Sequence, residues 1–451
     1  MGSKANRKRK RAKSTSKHQK RSIIPGKDVS IRSFLIHGKF RTEAWDFSHH
    51  VVPPISSTST YRLDNAERGA MGFFDFANPL KSKFEKSPIF IYERLDEPTR
   101  SMLEEDLAHA EGGEMCLCFA SGMAAISSTL LALLQTGDEI IAHKTLYGCT
   151  YSLFNLWLPR WGITVKYTDL AKDPDISHLI TQRTRFVYFE TPVNPTMEVI
   201  DIETIAKIVK EQNKKRRAKG KIRVVVDNTF ATPACQRPLM FGADLVVHSL
   251  TKGISGFGTE IGGAVIGPKE LESDILMIRK DLGSPLPSKN AWAILVYGLP
   301  TLDLRMRRAE KTAMAVAKFL NSHPKIKKVF YPGLPNFPWK KLARKQMIGF
   351  DGNFAPGAMI YFSVKGYPKR PGEASTKLVN TIAEEAYAIT LAVSLGQIRT
   401  LIERPGSMTH STLPKEIQEA GGIDPEGIRL AIGLEEPEDL INDLEKALKA
   451  I

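Results

Sequence analysis

From Thr99 onward, short apolar runs of β character alternate with amphipathic helical stretches, and this alternation restricts the chain to an α/β architecture. The runs fall at 115–119, 139–143, 163–167, 185–190, 223–227, 244–248 and 263–266. They are apolar throughout and spaced by helical patterns such as 123–134 and 202–211, which predicts a seven-stranded, mostly parallel sheet covered on both faces. A helix is expected over 99–110, capped by Thr99 or Ser101, with Glu104, Glu105 and Asp106 near its positive end. A long helical pattern runs from 291 to 320, and a smaller α/β unit follows to residue 451. The expected division is a tail over 1–27, an irregular arm over 28–98, a large domain over 99–302 and a small domain over 303–451.

With 451 residues, 42% of them hydrophobic and 25% charged, the chain has the composition of a folded protein with a large core. No uninterrupted apolar stretch is long enough for a transmembrane helix. Four cysteines are too few for a disulfide scaffold and suggest reduced thiols in the cytoplasm. Cys116 and Cys118 share a strand face without nearby ligand partners and read as core, so no metal site is expected. The net charge of +15 invites a nucleic-acid reading, but residues 1–27 hold eleven Lys and Arg and no acid, which leaves +4 for the rest. That tail lacks the apolar face of a targeting helix and should be disordered, a solvated extension capable at most of weak attraction to nucleic acid or anionic surfaces. The charge run 214–217 reads as a solvated helical face.

In open α/β sheets chemistry collects at the carboxyl ends of the strands. There the sequence puts Asp227, Glu190 with Asn194, the His248–Lys252 stretch, Ser121-Gly122-Met123 opening a helix, and Tyr147. Taken together they meet the needs of pyridoxal 5′-phosphate: an amine for a Schiff base, a carboxylate for the ring nitrogen and donors for the phosphate. Lys252 supplies the amine on a loop with Gly253, Gly256 and Gly258, and Asp227 the carboxylate. The N–H groups at the helix opened by Gly122 and Met123 make an anion site, to which Ser249 and Thr251 add hydroxyls. Tyr147 offers a ring face and a phenol. Taken singly, each has an ordinary structural explanation, and only their joint order points to a cofactor.

At these residues the chain resembles the Cys/Met-metabolism (trans-sulfuration) family of pyridoxal-phosphate enzymes, from about Ser33 to Leu448. The matching pieces include Tyr-Glu-Arg-Leu-Asp-Glu-Pro-Thr at 92–99, Ser-Gly-Met-Ala-Ala at 121–125, Glu-Thr-Pro-Val-Asn-Pro at 190–195 and Asp-Asn-Thr-Phe-Ala-Thr-Pro at 227–233. His-Ser-Leu-Thr-Lys at 248–252, Ala-Val-Ser-Leu-Gly at 392–396, Ser-Met-Thr-His-Ser at 407–411 and Ile-Arg-Leu-Ala-Ile-Gly-Leu-Glu at 428–435 continue the match. The resemblance implies the aspartate-aminotransferase-like fold (fold type I), with Lys252 carrying the cofactor and shuttling protons, Asp227 on its ring nitrogen and Tyr147 stacked on the ring. It implies a phosphate held by Gly122, Met123, Ser249 and Thr251, with Tyr92 and Arg94 reaching in on the N-terminal arm of a neighbouring subunit. Arg429 would clamp the substrate carboxylate, assisted by Asn194 and Ser394, and the shared sites imply a homodimer at least, commonly built into a homotetramer.

Within the family, Cys149, Lys280-Asp281 and Thr400-Leu401 resemble the methionine γ-lyase subgroup, which implies α,γ-elimination of L-methionine to methanethiol, 2-oxobutanoate and ammonia, with Cys149 at the substrate; the alternative for Cys149 is a small buried filler. That γ-elimination step needs a proton donor, and a Tyr147 phenol with its pKa lowered by nearby positive charge is the expected one. The alternatives are γ-replacement, as in cystathionine γ-synthases and O-acylhomoserine sulfhydrylases, or cystathionine cleavage. Departures surround the site: Gly256-Phe257-Gly258-Thr259-Glu260, Gln397-Ile398-Arg399, Asp96-Glu97 and the segment 65–91 differ from the family pattern, and they bear on reaction specificity more than on cofactor use.

Overall fold

The computed structural model describes residues 29–38, 50–78, 89–411 and 413–451; the basic segment 1–27 lies outside them. Seven strands form the large sheet: β1 (Met115–Phe119), β2 (Glu139–His143), β3 (Thr164–Thr168), β4 (Thr184–Glu190), β5 (Arg223–Asp227), β6 (Leu245–Ser249) and β7 (Gly263–Gly267). Their order is β1-β7-β6-β5-β4-β2-β3, and only β7 runs antiparallel to its neighbours. Val224, Val225 and Val226 of β5 are buried on both faces, as central parallel strands require. A second sheet holds β8 (Ile326–Phe330), β9 (Met359–Val364), β10 (Ile389–Leu391), β11 (Thr400–Glu403) and β12 (Gly427–Ala431) in the order β10-β11-β12-β9-β8. Unlike the large sheet it is mostly antiparallel, with β10 and β11 its one parallel pair. No helix among the described residues is long and apolar enough to cross a membrane.

Several local expectations need correction. The 99–110 helix is Pro98–Glu111, and its N-cap is Glu97, whose carboxylate accepts from the Thr99 and Arg100 N–H groups. Proline at the first helical position, where no N–H is needed, moves the start upstream of Thr99. Glu104 does not serve the helix end: it is buried, paired with Arg279, and accepts from the Cys118 N–H at 2.7 Å. The 291–320 pattern is broken into Ser288–Ala293, a wide π turn at Ile294–Gly298 and the helix Leu302–Ser322. Pro300 has no N–H to continue the ladder there, which separates the pieces. In the arm expected to be irregular, the helices Ile31–His37 and Ala66–Ala77 form. The 214–217 run follows a helix that ends at Asn213, and Arg216 is structural, donating to the carbonyls of Thr181, Thr184 and Gly220.

Candidate active site

The carboxyl ends of β4, β5 and β6 and the loops of the second sheet enclose a cleft of about 460 Å³. Its walls include Gly122, Met123, Tyr147, Asn194, Asp227, Ser249, Thr251, Lys252, Ser394 and Arg429, so ten of the thirteen expected site residues converge in one chain. Tyr92 and Arg94 do not line it: Tyr92 is exposed, and Arg94 donates to the Lys280 carbonyl at 2.8 Å. Cys149 is exposed, outside the wall, with its Sγ 3.5 Å from the Tyr147 phenol; it is no buried filler.

At one end of the cleft, Ser121 caps the helix Gly122–Leu133 by accepting from the Ala124 N–H at 3.1 Å. The N–H groups of Gly122 and Met123 therefore face outward from a positive helix end without a helical acceptor. A Cβ on Gly122 would stand 2.9 Å from the Ser249 Cβ, so only glycine lets this helix end close on Ser249. Thr251 is partly committed, its hydroxyl accepting from the Gly262 N–H at 3.1 Å.

Asp227 ends β5 and accepts from the Thr229 N–H at 3.0 Å. Burial raises its pKa, while Thr229 and the neighbouring His248 favour its ionised form. Behind it His248 Nε2 lies 2.5 Å from Glu111, which also accepts from Asn228 at 2.8 Å. Glu190, in register with Asp227 on the adjacent strand, accepts from the Tyr147 N–H at 2.6 Å; burial and the nearby Asp227 push its pKa well up.

Lys252 is half-buried, and burial, reinforced by Arg429, lowers its pKa. Its Nζ donates to the Ser394 hydroxyl at 2.9 Å. The loop that follows is held by Arg305, which donates to the carbonyls of Gly253, Ile254 and Gly298. Gly256 has φ of 76°, and a Cβ there would collide with that guanidinium. Arg429, on β12, donates to Asn194 Oδ1 at 3.0 Å and to the Ser394 carbonyl at 2.8 Å, and its Nη2 lies 2.9 Å from Glu403. For Tyr147 the expected lowered pKa is overturned: burial and Cys149 raise it, and Arg429 opposes them only in part.

Sequence reasoning missed Arg305, Glu403 and the anchoring role of Glu190. Glu403 had a signal, since an acidic residue ending an apolar strand demands a partner, but its partner is set by strand register.

The donor set fits pyridoxal phosphate: an anion cradle closed by a required glycine, an amine of lowered pKa, and a half-buried carboxylate share one cleft. The family model of the Cys/Met metabolism PLP-dependent enzymes matches residues 33–449. The chain is 43% identical over 400 residues to an L-methionine gamma-lyase of Fusobacterium nucleatum subsp. polymorphum, covering 88% of this chain and 93% of that protein. It is 37% identical over 416 residues to the cystathionine gamma-lyase of Bos taurus, covering 92% of each. Among solved structures, cystathionine gamma-lyase from Lactobacillus plantarum complexed with L-serine superposes with a TM-score of 0.79 at 33% identity, covering 94% of this chain and 99% of that one. Cystathionine gamma synthase from Xanthomonas oryzae pv. oryzae does so with a TM-score of 0.80 at 32% identity, covering 94% and 98%. A cleft built around Lys252, Asp227 and Arg429 and matches spanning nearly the whole described chain lead to one conclusion: this chain belongs to the Cys/Met metabolism family of pyridoxal-phosphate-dependent enzymes.

Proposed function

We propose that the protein catalyses α,γ-elimination of L-methionine, yielding methanethiol, 2-oxobutanoate and ammonia. The observation that carries this reading is the convergence of the Lys252 amine, the Asp227 carboxylate and the Arg429 guanidinium on one cleft with Tyr147 on its wall. Similarity to several L-methionine gamma-lyases supports the choice of substrate.

Pyridoxal phosphate, when bound, supplies a ring that withdraws electrons from the substrate Cα. Lys252 would carry it, Asp227 would face its ring nitrogen, and Gly122, Met123, Ser249 and Thr251 would hold its phosphate. Arg429, aimed by Asn194 and Ser394, binds the substrate carboxylate. Burial keeps a larger share of Lys252 neutral, so its amine can take the Cα proton and then a Cβ proton. The raised pKa of Tyr147 keeps the phenol protonated, which suits a donor to the departing sulfur.

Tyr92 and Arg94 stand outside this chain's cleft, consistent with service to a neighbouring subunit in a homodimer or homotetramer. The helix Leu302–Ser322, which begins beside it, supports a division near 302/303. Four free thiols support a cytoplasmic setting. Product analysis tests the reaction: purified enzyme is offered methionine, cystathionine, cysteine and O-acylated homoserine, with and without an added thiol. Methionine should yield 2-oxobutanoate. A thioether from O-acylated homoserine plus thiol, with no product from methionine, would make γ-replacement the function.

A further inference from the structure

We infer that Glu403 is a built-in competitor for the substrate carboxylate at Arg429, weakening the clamp and thereby setting how tightly the site holds any α-amino acid; this rests on the reading of Arg429 as that clamp. The two residues face each other in register across β11 and β12. Their charged groups approach to 2.9 Å, and their side chains are only 3% and 1% exposed, so water does not screen the pair.

Orientation alone does not account for Glu403. Asn194 Oδ1 already holds Arg429 Nη1 at 3.0 Å, and the Ser394 carbonyl holds Nη2 at 2.8 Å. What Glu403 adds is charge. Its own satisfaction is incomplete: Oε1 accepts from the Thr409 hydroxyl at 2.7 Å, but Oε2 is buried without a hydrogen-bond partner. Burial raises the pKa of this carboxylate, and the Arg429 guanidinium beside it, with a smaller contribution from Lys252, favours its ionised form.

An arriving amino acid brings a second carboxylate to the same guanidinium. It must either share the cation with Glu403, at the expense of repulsion in a dry site, or displace Glu403 from its main partner. Either route subtracts from affinity for every ligand that carries the carboxylate. The 2-oxo acid product is such a ligand, so the same competition speeds its release.

The test uses full-length, cofactor-loaded protein and two probes that have no γ-substituent: L-alanine, and ethylamine, which lacks only the carboxylate. Their dissociation constants are read from the cofactor's absorbance change in wild type, Glu403→Gln and Glu403→Asp. In Glu403→Gln, alanine should bind about tenfold tighter while ethylamine stays within about twofold of wild type. Glu403→Asp, whose shorter carboxylate is drawn back from Arg429, should fall between the two and keeps the test open if the Gln variant does not fold. Alanine affinity that is unchanged or weaker in the variants, with ethylamine unaffected, would overturn the inference and make Glu403 a support for Arg429. The comparison does not depend on which substrate is turned over: methionine that yields no 2-oxobutanoate defeats the proposed reaction and leaves the alanine result standing.

Discussion

Lys252 Nζ donates to the Ser394 hydroxyl at 2.9 Å, and the carbonyl of the same serine accepts from Arg429 at 2.8 Å. One residue of the second sheet's loops thus positions both the amine of the large-sheet loop and the guanidinium of β12. Ser394 does this with φ of 93°, a region that L side chains rarely adopt.

That backbone should be measurable as strain. Ser394→Gly is expected to be more stable than Ser394→Ala by about 1 kcal/mol in thermal or denaturant unfolding, because both lose the hydroxyl and only glycine relieves the left-handed conformation. Equal stabilities would show that the conformation carries no strain.

Cofactor attachment is the most direct check of the site. Borohydride reduction followed by digestion should leave the cofactor on the peptide containing Lys252, and Lys252→Ala should leave no reduced adduct. An adduct on another lysine would move the active site elsewhere.

Two substitutions should separate chemistry from binding. Tyr147→Phe is expected to keep cofactor and Cα-proton exchange while losing about 10²–10⁴ in γ-elimination, the usual contribution of a general acid. Arg429→Ala should instead raise KM strongly. A Tyr147→Phe enzyme with unimpaired kcat would leave the proton donor unassigned.

Shared sites predict complementation. Arg94→Ala should retain cofactor poorly, and mixing it with Lys252→Ala subunits should restore part of the activity, since one hybrid site then holds both native residues. Hybrids that form without rescue would count against a partner role for Arg94.

His410 gives a pH signature. Burial, reinforced by Arg429, pushes its pKa down from 6.5 to about 4, so the folded protein prefers the neutral ring. The resulting stability is complete above about pH 6.5 and is lost as pH falls through about 4, by as much as about 3 kcal/mol. The difference in stability between wild type and His410→Gln should therefore change over that interval. A difference that stays constant with pH would show that His410 titrates alike in folded and unfolded chains.

The α/β class, the seven strands of the large sheet and the residues at their carboxyl ends are legible in the amino-acid order alone. These are local properties: burial on both faces writes an apolar run, and a helix N-terminus writes its cap, as Ser121 before Gly122 shows. The family motifs then identified Lys252, Asp227 and Arg429, which the fold brings to one cleft. Tertiary structure alone decided the rest. Arg100 and Arg279 are both buried and donate to backbone carbonyls of distant segments, a placement no local pattern announces. Glu104 leaves a helix end to pair with Arg279, and Tyr147 is held at a raised pKa by burial that its own sequence neighbours do not reveal. Glu403 meets Arg429 only because β11 and β12 pair antiparallel in one register; a slip of one residue would turn it to the other face. Charge pairing of this kind depends on which strands become neighbours and on how little water remains between them, and neither leaves a periodic trace along the chain.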